Sequence, residues 1–160
     1  MRASSILALL LLAAPAGADE MRYPATGAPA VTLKVPDGWS AKEADGKFVA
    51  TSADGATTVT VSIVAYAGSM DALAAESLKD APTAPPALGD RHAITLADLN
   101  GYWWELHPTG PEGTPRPELY CNVMLGGGKA MSGLIVAPDS EGAGYHAGLR
   151  MLGGMKQAAQ

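Results

Sequence analysis

A chain of 160 residues, 48% apolar and 17% charged with a formal net charge of -5, is long enough for one domain with a core of ordinary size. Its acidic balance, with no lysine- or arginine-rich run, argues against nucleic acid and anionic lipid as partners. Cys121 is the only cysteine, which excludes an intramolecular disulfide and leaves stability to packing.

Residues 1–18 have the three parts of a cleavable export signal: Met1-Arg2 as a basic start, an apolar run over Ile6–Ala14, and Ala16-Gly17-Ala18 as a small-x-small cleavage site. Cleavage is expected after Ala18, releasing a periplasmic or secreted protein that begins at Asp19. The apolar run is too short to span a bilayer, and no later stretch qualifies, so no membrane insertion is expected after processing. Without a cysteine near the cleavage point, lipid attachment there is excluded.

The polar Asp19–Pro29 segment reads as a flexible lead-in to a single α+β domain over residues 30–160. Val31–Val35 alternates as a strand, stopped by the turn residues Pro36-Asp37-Gly38. Trp39–Ala44 and Lys47–Ser52 read as hairpin arms around Asp45-Gly46. Thr57–Tyr66, rich in β-branched residues, is the clearest strand. One of its faces carries Thr57, Val59, Val61, Ile63 and Ala65; the other carries Thr58, Thr60, Ser62, Val64 and Tyr66, and both are expected to be covered. This half therefore reads as an antiparallel meander.

Ser69 is placed to cap a helix to about Asp80, with Met70, Leu73, Ala74 and Ser77 turned toward the sheet. The proline-rich Ala81–Asp90 stretch reads as a crossover. A hairpin follows, His92–Ala97 and Tyr102–His107 about an Asn100-Gly101 turn, and then a Pro108–Pro117 surface loop. Glu118–Leu125 and Ala130–Ala137 form a further hairpin around Gly126-Gly127-Gly128. Asp139 or Ser140 is expected to cap a closing helix that buries Tyr145, Gly148, Leu149, Leu152 and Met155. Gly144 and Gly148, one turn apart, allow that helix close to the sheet.

The chain contains no dinucleotide, phosphate-loop, zincin or nucleophile-elbow pattern, and no spacing of serine, histidine and aspartate singles out a triad. A small periplasmic hydrolase is therefore the weakest functional alternative. Copper binding has more behind it, since His92, His107, His146, Cys121 and the methionines include soft ligands. They do not cluster in sequence, however, and methionines filling a core account for the count. Cys121 alternates with Leu119, Val123 and Leu125, as a buried thiol would. No metal and no cofactor is expected. The polar set most suited to binding is Trp103, Glu105 and His107 on one strand with Tyr120 and Asn122 on the next; where the two faces coincide, they make an aromatic patch with a carboxylate and an imidazole.

Strands, helix, crossover, more strands and a closing helix, with Val35-Pro36-Asp37-Gly38-Trp39 near the expected mature start, resemble the PsbP-like superfamily along residues 28–157. That superfamily includes extrinsic photosystem proteins, a nuclear Ran-binding import factor and many small exported bacterial proteins. The resemblance implies an antiparallel sheet flanked by two helices as an α/β/α sandwich, and a non-catalytic role in binding or assembly. It carries over no site residues. The expectation from sequence is an exported periplasmic binding or accessory protein whose partner is another protein or a small molecule.

Overall fold

The computed structural model describes residues 19–28, 30–77, 91–96, 99–106 and 117–158. The expected export signal, the Ala81–Asp90 crossover, the far end of the first helix, His107 and all but the last residue of the Pro108–Pro117 loop lie outside the described residues. The chain is an α+β protein, and its described residues are mostly antiparallel sheet with two helices.

The larger sheet has seven strands: β3 (Ser40–Ala44), β4 (Lys47–Thr51), β5 (Thr58–Ala65), β6 (Arg91–Leu96), β7 (Leu99–Leu106), β8 (Glu118–Leu125) and β9 (Lys129–Val136). Their spatial order is β3-β4-β5-β9-β8-β7-β6, antiparallel throughout. The Asp45-Gly46 and triple-glycine turns fall where the sequence places them, with positive φ at Asp45, Gly46, Gly127 and Gly128. The β6–β7 hairpin closes earlier than expected. Leu96 pairs with Leu99, so Asn100 and Gly101 belong to β7. Gly101 answers a different demand from a turn: a Cβ on it would lie 2.1 Å from the Asn122 carbonyl oxygen on β8.

A second sheet corrects the expectation of one meander. Glu20–Tyr23, inside the stretch read as a flexible lead-in, is strand β1; it pairs with β2 (Val31–Lys34), whose other edge takes β10 (Lys156–Gln157). Polar Glu20 and Arg22 hide the pattern, because only one side of this short strand is buried, at Tyr23. Val31 and Leu33 pack with Phe48 and Val61 in the main core, and the Tyr23 and Phe48 rings lie 6.1 Å apart.

The closing helix α2 (Ala143–Gly153) touches β9 and β2. It buries Tyr145, Ala147, Gly148, Met151 and Leu152, with Leu149 half-buried and Met155 buried just beyond its end. Its N-cap is Gly142 without a side-chain cap; Asp139 lies against that residue instead of capping it. Glycines at 144 and 148 cost the isolated helix about 2 kcal/mol relative to alanine. Burying Met151 and Leu152 returns roughly 3–6 kcal/mol, so docking determines the helix. The glycines are what permit it: a Cβ on Gly144 would lie 2.3 Å from Thr57 Oγ1, and one on Gly148 3.0 Å from Val59 Cγ2.

The first helix, α1 (Met70–Ser77), packs on β8, with Leu73 buried and Asp71, Ala75 and Glu76 outward. It lies on the face of Asn122, opposite α2, because Asn122 Nδ2 donates to the Met70 carbonyl at 3.4 Å. Over the described residues each helix covers the middle of the sheet, so the sandwich description holds there. On the α1 side of β5, Thr58, Thr60 and Ser62 are half-buried and Val64 is 40% exposed. The expectation that both faces of β5 are covered fails there, since α1 sits two strands away.

Candidate functional site

Register decides which side chains meet. Trp103 stands opposite Cys121 and His92, whereas Trp104 stands opposite Tyr120. Trp103 and Glu105 therefore share the α2 face with Leu119 and Cys121, while Tyr120 and Asn122 share the α1 face with Trp104. The sequence-derived patch is split between the two sides of the sheet, and its fifth member, His107, is outside the described residues.

On the α1 side, Tyr102, Trp104, Leu106, Tyr120 and Leu134 make a small separate core. Beside it runs a buried hydrogen-bonded chain. Tyr120 Oη donates to Ser132 Oγ at 3.2 Å, and Ser132 Oγ donates to Asn122 Oδ1 at 2.9 Å. Asn122 is 0% exposed, and its amide then reaches α1. This is the satisfied polar network that burial of such groups demands, and it fixes the helix on the sheet.

On the α2 side there is open space. Gly144 and Gly148 bring the helix down onto Thr57, Val59 and Ile135, toward the β5–β9 ladder and away from β6 and β7. Among the described residues neither helix covers that end of the sheet, and the space there is a cavity of about 310 Å³. Its floor is Ile94, Leu96, Trp103, Glu105, Leu119 and Cys121, and α2 supplies Tyr145, Leu149, Leu152 and Gly153 as the opposite wall. The Trp103 ring is held from outside by His92, stacked at 4.3 Å and 19°.

Among the described residues the lining is apolar with three exceptions. Glu105 is exposed to solvent. Burial pushes the Tyr145 hydroxyl above its ordinary pKa, and the negative charge of Glu105 pushes it the same way. Cys121 is fully buried, and desolvation raises its thiol to about 12 against a weaker opposing backbone hydrogen bond at Gly133. At neutral pH it is a thiol, not a thiolate.

Two of the five sequence-derived residues, Trp103 and Glu105, thus belong to the cavity. Tyr145, Leu149 and Leu152, which helical spacing predicts as packing residues, also line the cavity, and that spacing does not show it. A tyrosine on the buried face of a short glycine-rich helix was the available signal, since a buried phenol needs a polar neighbour. Among the described residues, no group of three or more histidine, cysteine, aspartate or glutamate side chains could hold a metal ion. Met131, Met151 and Met155 are core side chains.

A second hollow, of about 300 Å³, lies beside Tyr23, Glu43 and Lys129. The fold engages two of its polar groups: Tyr23 Oη donates to the Gly46 carbonyl, and Glu43 Oε2 accepts the Ala25 N–H at 2.8 Å.

The fold and site define an antiparallel α+β domain with a lateral, mainly apolar cavity. No protein-family model and no curated protein matches the chain. Among solved structures it is similar to LpqN of Mycobacterium tuberculosis, described as involved in cell envelope biogenesis. The TM-score is 0.60 and the identity 16%, with 88% of this chain and 90% of that chain covered. At that identity the likeness is one of fold.

Proposed function

We propose that this chain is an exported, non-catalytic accessory protein that holds a small apolar ligand in the cavity between α2 and strands β6–β8. The cavity carries the reading: its size falls at the small end of ligand sites, roughly 300–1,000 Å³, and its walls are apolar with a few polar groups to orient what enters. Three further observations support it. The fold is shared with an envelope-biogenesis protein, residues 1–18 have the pattern of a cleavable signal, and no helix among the described residues is long and apolar enough to cross a membrane. We read the order of strands and helices as PsbP-like, in keeping with a binding or assembly role.

The alternatives draw less from the geometry. Copper would need soft ligands in one place, but Met131 and Met151 are packed in the core and the thiol is held protonated. A hydrolase using Cys121 would need a thiolate, which burial opposes.

The neutral dye N-phenyl-1-naphthylamine tests the reading. Its emission should rise on mixing with the purified protein. The rise should be lost in Leu149→Trp, which fills the space, with the thermal midpoint unchanged. No binding, or binding indifferent to residue 149, would refute the cavity as the site. Export is tested separately: mature protein from the native envelope should begin at Asp19.

A further inference from the structure

We propose that the cavity selects a flat aromatic ring system over a saturated body of the same skeleton, the ring lying against the Trp103 indole with the Tyr145 phenol on the opposite wall. This rests on the reading of the cavity as a ligand site and adds the class of ligand.

The two walls carry the argument. Among the described residues, Trp103 on the sheet and Tyr145 on α2 are the aromatic side chains of the lining, and Ile94, Leu96, Leu119 and Leu149 are aliphatic members of it. Aliphatic walls accept any apolar body. Rings on two sides do not, because a planar aromatic guest can stack on one and meet the edge of the other, whereas a puckered saturated ring is thicker and has no quadrupole to match. Each such ring pair favours the flat guest by about two- to twelvefold beyond what buried area gives.

Both rings are held before any ligand arrives. His92 stands opposite Trp103 on β6 and stacks on it, with centroids 4.3 Å apart and planes at 19°. The imidazole is exposed and no part of the lining, so it occupies one face of the indole and leaves the other to the cavity, on the side of Cys121 on β8. Tyr145 belongs to the buried row of α2, and the seating of that helix is fixed by Gly144 against Thr57 and Gly148 against Val59. The spacing of the two walls is thus set by backbone packing, which keeps the ordering cost of binding low. A volume of about 310 Å³ suits a guest of one or two rings.

Titration of the purified protein with 2-naphthol and decahydro-2-naphthol tests the proposal, since the two share a carbon skeleton and a hydroxyl and both are neutral at pH 7. By calorimetry 2-naphthol should bind about fivefold more tightly, the size expected for aromatic pairing. By proton NMR its ring resonances should move upfield on binding, as they do over the face of an indole. Trp103→Leu, which keeps an apolar wall, should bring the ratio near one. His92→Ala, a change at an exposed residue, should lower it part of the way and leave the thermal midpoint within a few degrees. Decahydro-2-naphthol binding as tightly as 2-naphthol, a ratio that neither substitution lowers, or bound 2-naphthol without upfield shifts overturns the selection and leaves the apolar cavity standing. If neither compound binds, the cavity is not a ligand site, and the proposed function falls with it.

Discussion

Asn122 and Ser132 face each other across the β8–β9 ladder, and the serine hydroxyl donates to the asparagine carbonyl at 2.9 Å in the middle of the sheet. Asn122 is thereby left with its amide aimed at the Met70 carbonyl, so a buried side chain ties the start of α1 to the sheet. Asn122→Ala removes the acceptor of one buried hydroxyl and a donor to one backbone carbonyl. The expected cost is about 1–3 kcal/mol, the penalty for stranding buried polar groups. Urea unfolding measures it, and amide exchange in α1 should quicken more than in α2.

Trp103 and Trp104 are neighbours in sequence with opposite surroundings. Trp104 is 3% exposed within the α1-side cluster, whereas Trp103 is half-buried at the cavity. Trp104→Ala is expected to cost roughly 3–5 kcal/mol, in the range of large-to-small core changes. Trp103→Ala should cost clearly less while weakening ligand binding. Acrylamide quenching of single-tryptophan variants should reach residue 103 and spare residue 104.

Much of this arrangement was legible in the sequence. The β-branched run made β5 an interior strand, the glycine turn and its flanking alternation gave the β8–β9 hairpin, and Tyr145, Gly148 and Leu152 on the expected face of α2 are buried, while Ala147 and Met151 join that face unforeseen. Period-two alternation shows which side chains of one strand share a face, but it does not say which face of the next strand lies beside it. That was the error at the candidate site. The alternation of Trp103 with Glu105 was right and that of Tyr120 with Asn122 was right, but register sets Trp103 against Cys121. The turn at Asn100-Gly101 failed for another reason. A glycine required by the close approach of a neighbouring carbonyl has the same letter as one required by a turn.

The Cys121 thiol has a definite pH signature. Its pKa is raised from an ordinary 9.0 to about 12 in the folded chain, so the neutral form is favoured by folding. Its contribution to stability is fully present below pH 9 and is lost as the pH rises from there toward about 12. Tyr23 and Tyr145 are raised too, so the measurement is a difference. Wild-type protein should lose stability above pH 9 more steeply than Cys121→Ala. At neutral pH the thiol should react with disulfide reagents at the rate of unfolding, and immediate labelling of native protein would contradict the burial.

Gly144→Ala tests the contact that seats α2. Alanine is the better helix former by about 1 kcal/mol, yet its methyl would fall 2.3 Å from Thr57 Oγ1, and Thr57 is buried. Overpacking at such a site costs about 1–3 kcal/mol, so a net loss is expected in urea unfolding. Thr57→Ala in the same chain should recover part of it, a coupling that a double-mutant cycle resolves.

The pairing of β2 with β10 bears on the order of assembly. Thr32 and Val31 find their partners at Lys156 and Gln157, and Ala158 donates to the Ala30 carbonyl at 2.9 Å, so one small sheet joins the two ends of the described chain. Closing so long a loop is entropically costly unless the intervening segment has already become compact. During synthesis, β1 and β2 can pair as a hairpin early, but their outer edge stays unsatisfied until the seven-stranded sheet and α2 have formed and delivered the last strand. Completion of the three-stranded sheet is therefore a late event, and a chain interrupted before Lys156 would display an unpaired β2 edge to its neighbours.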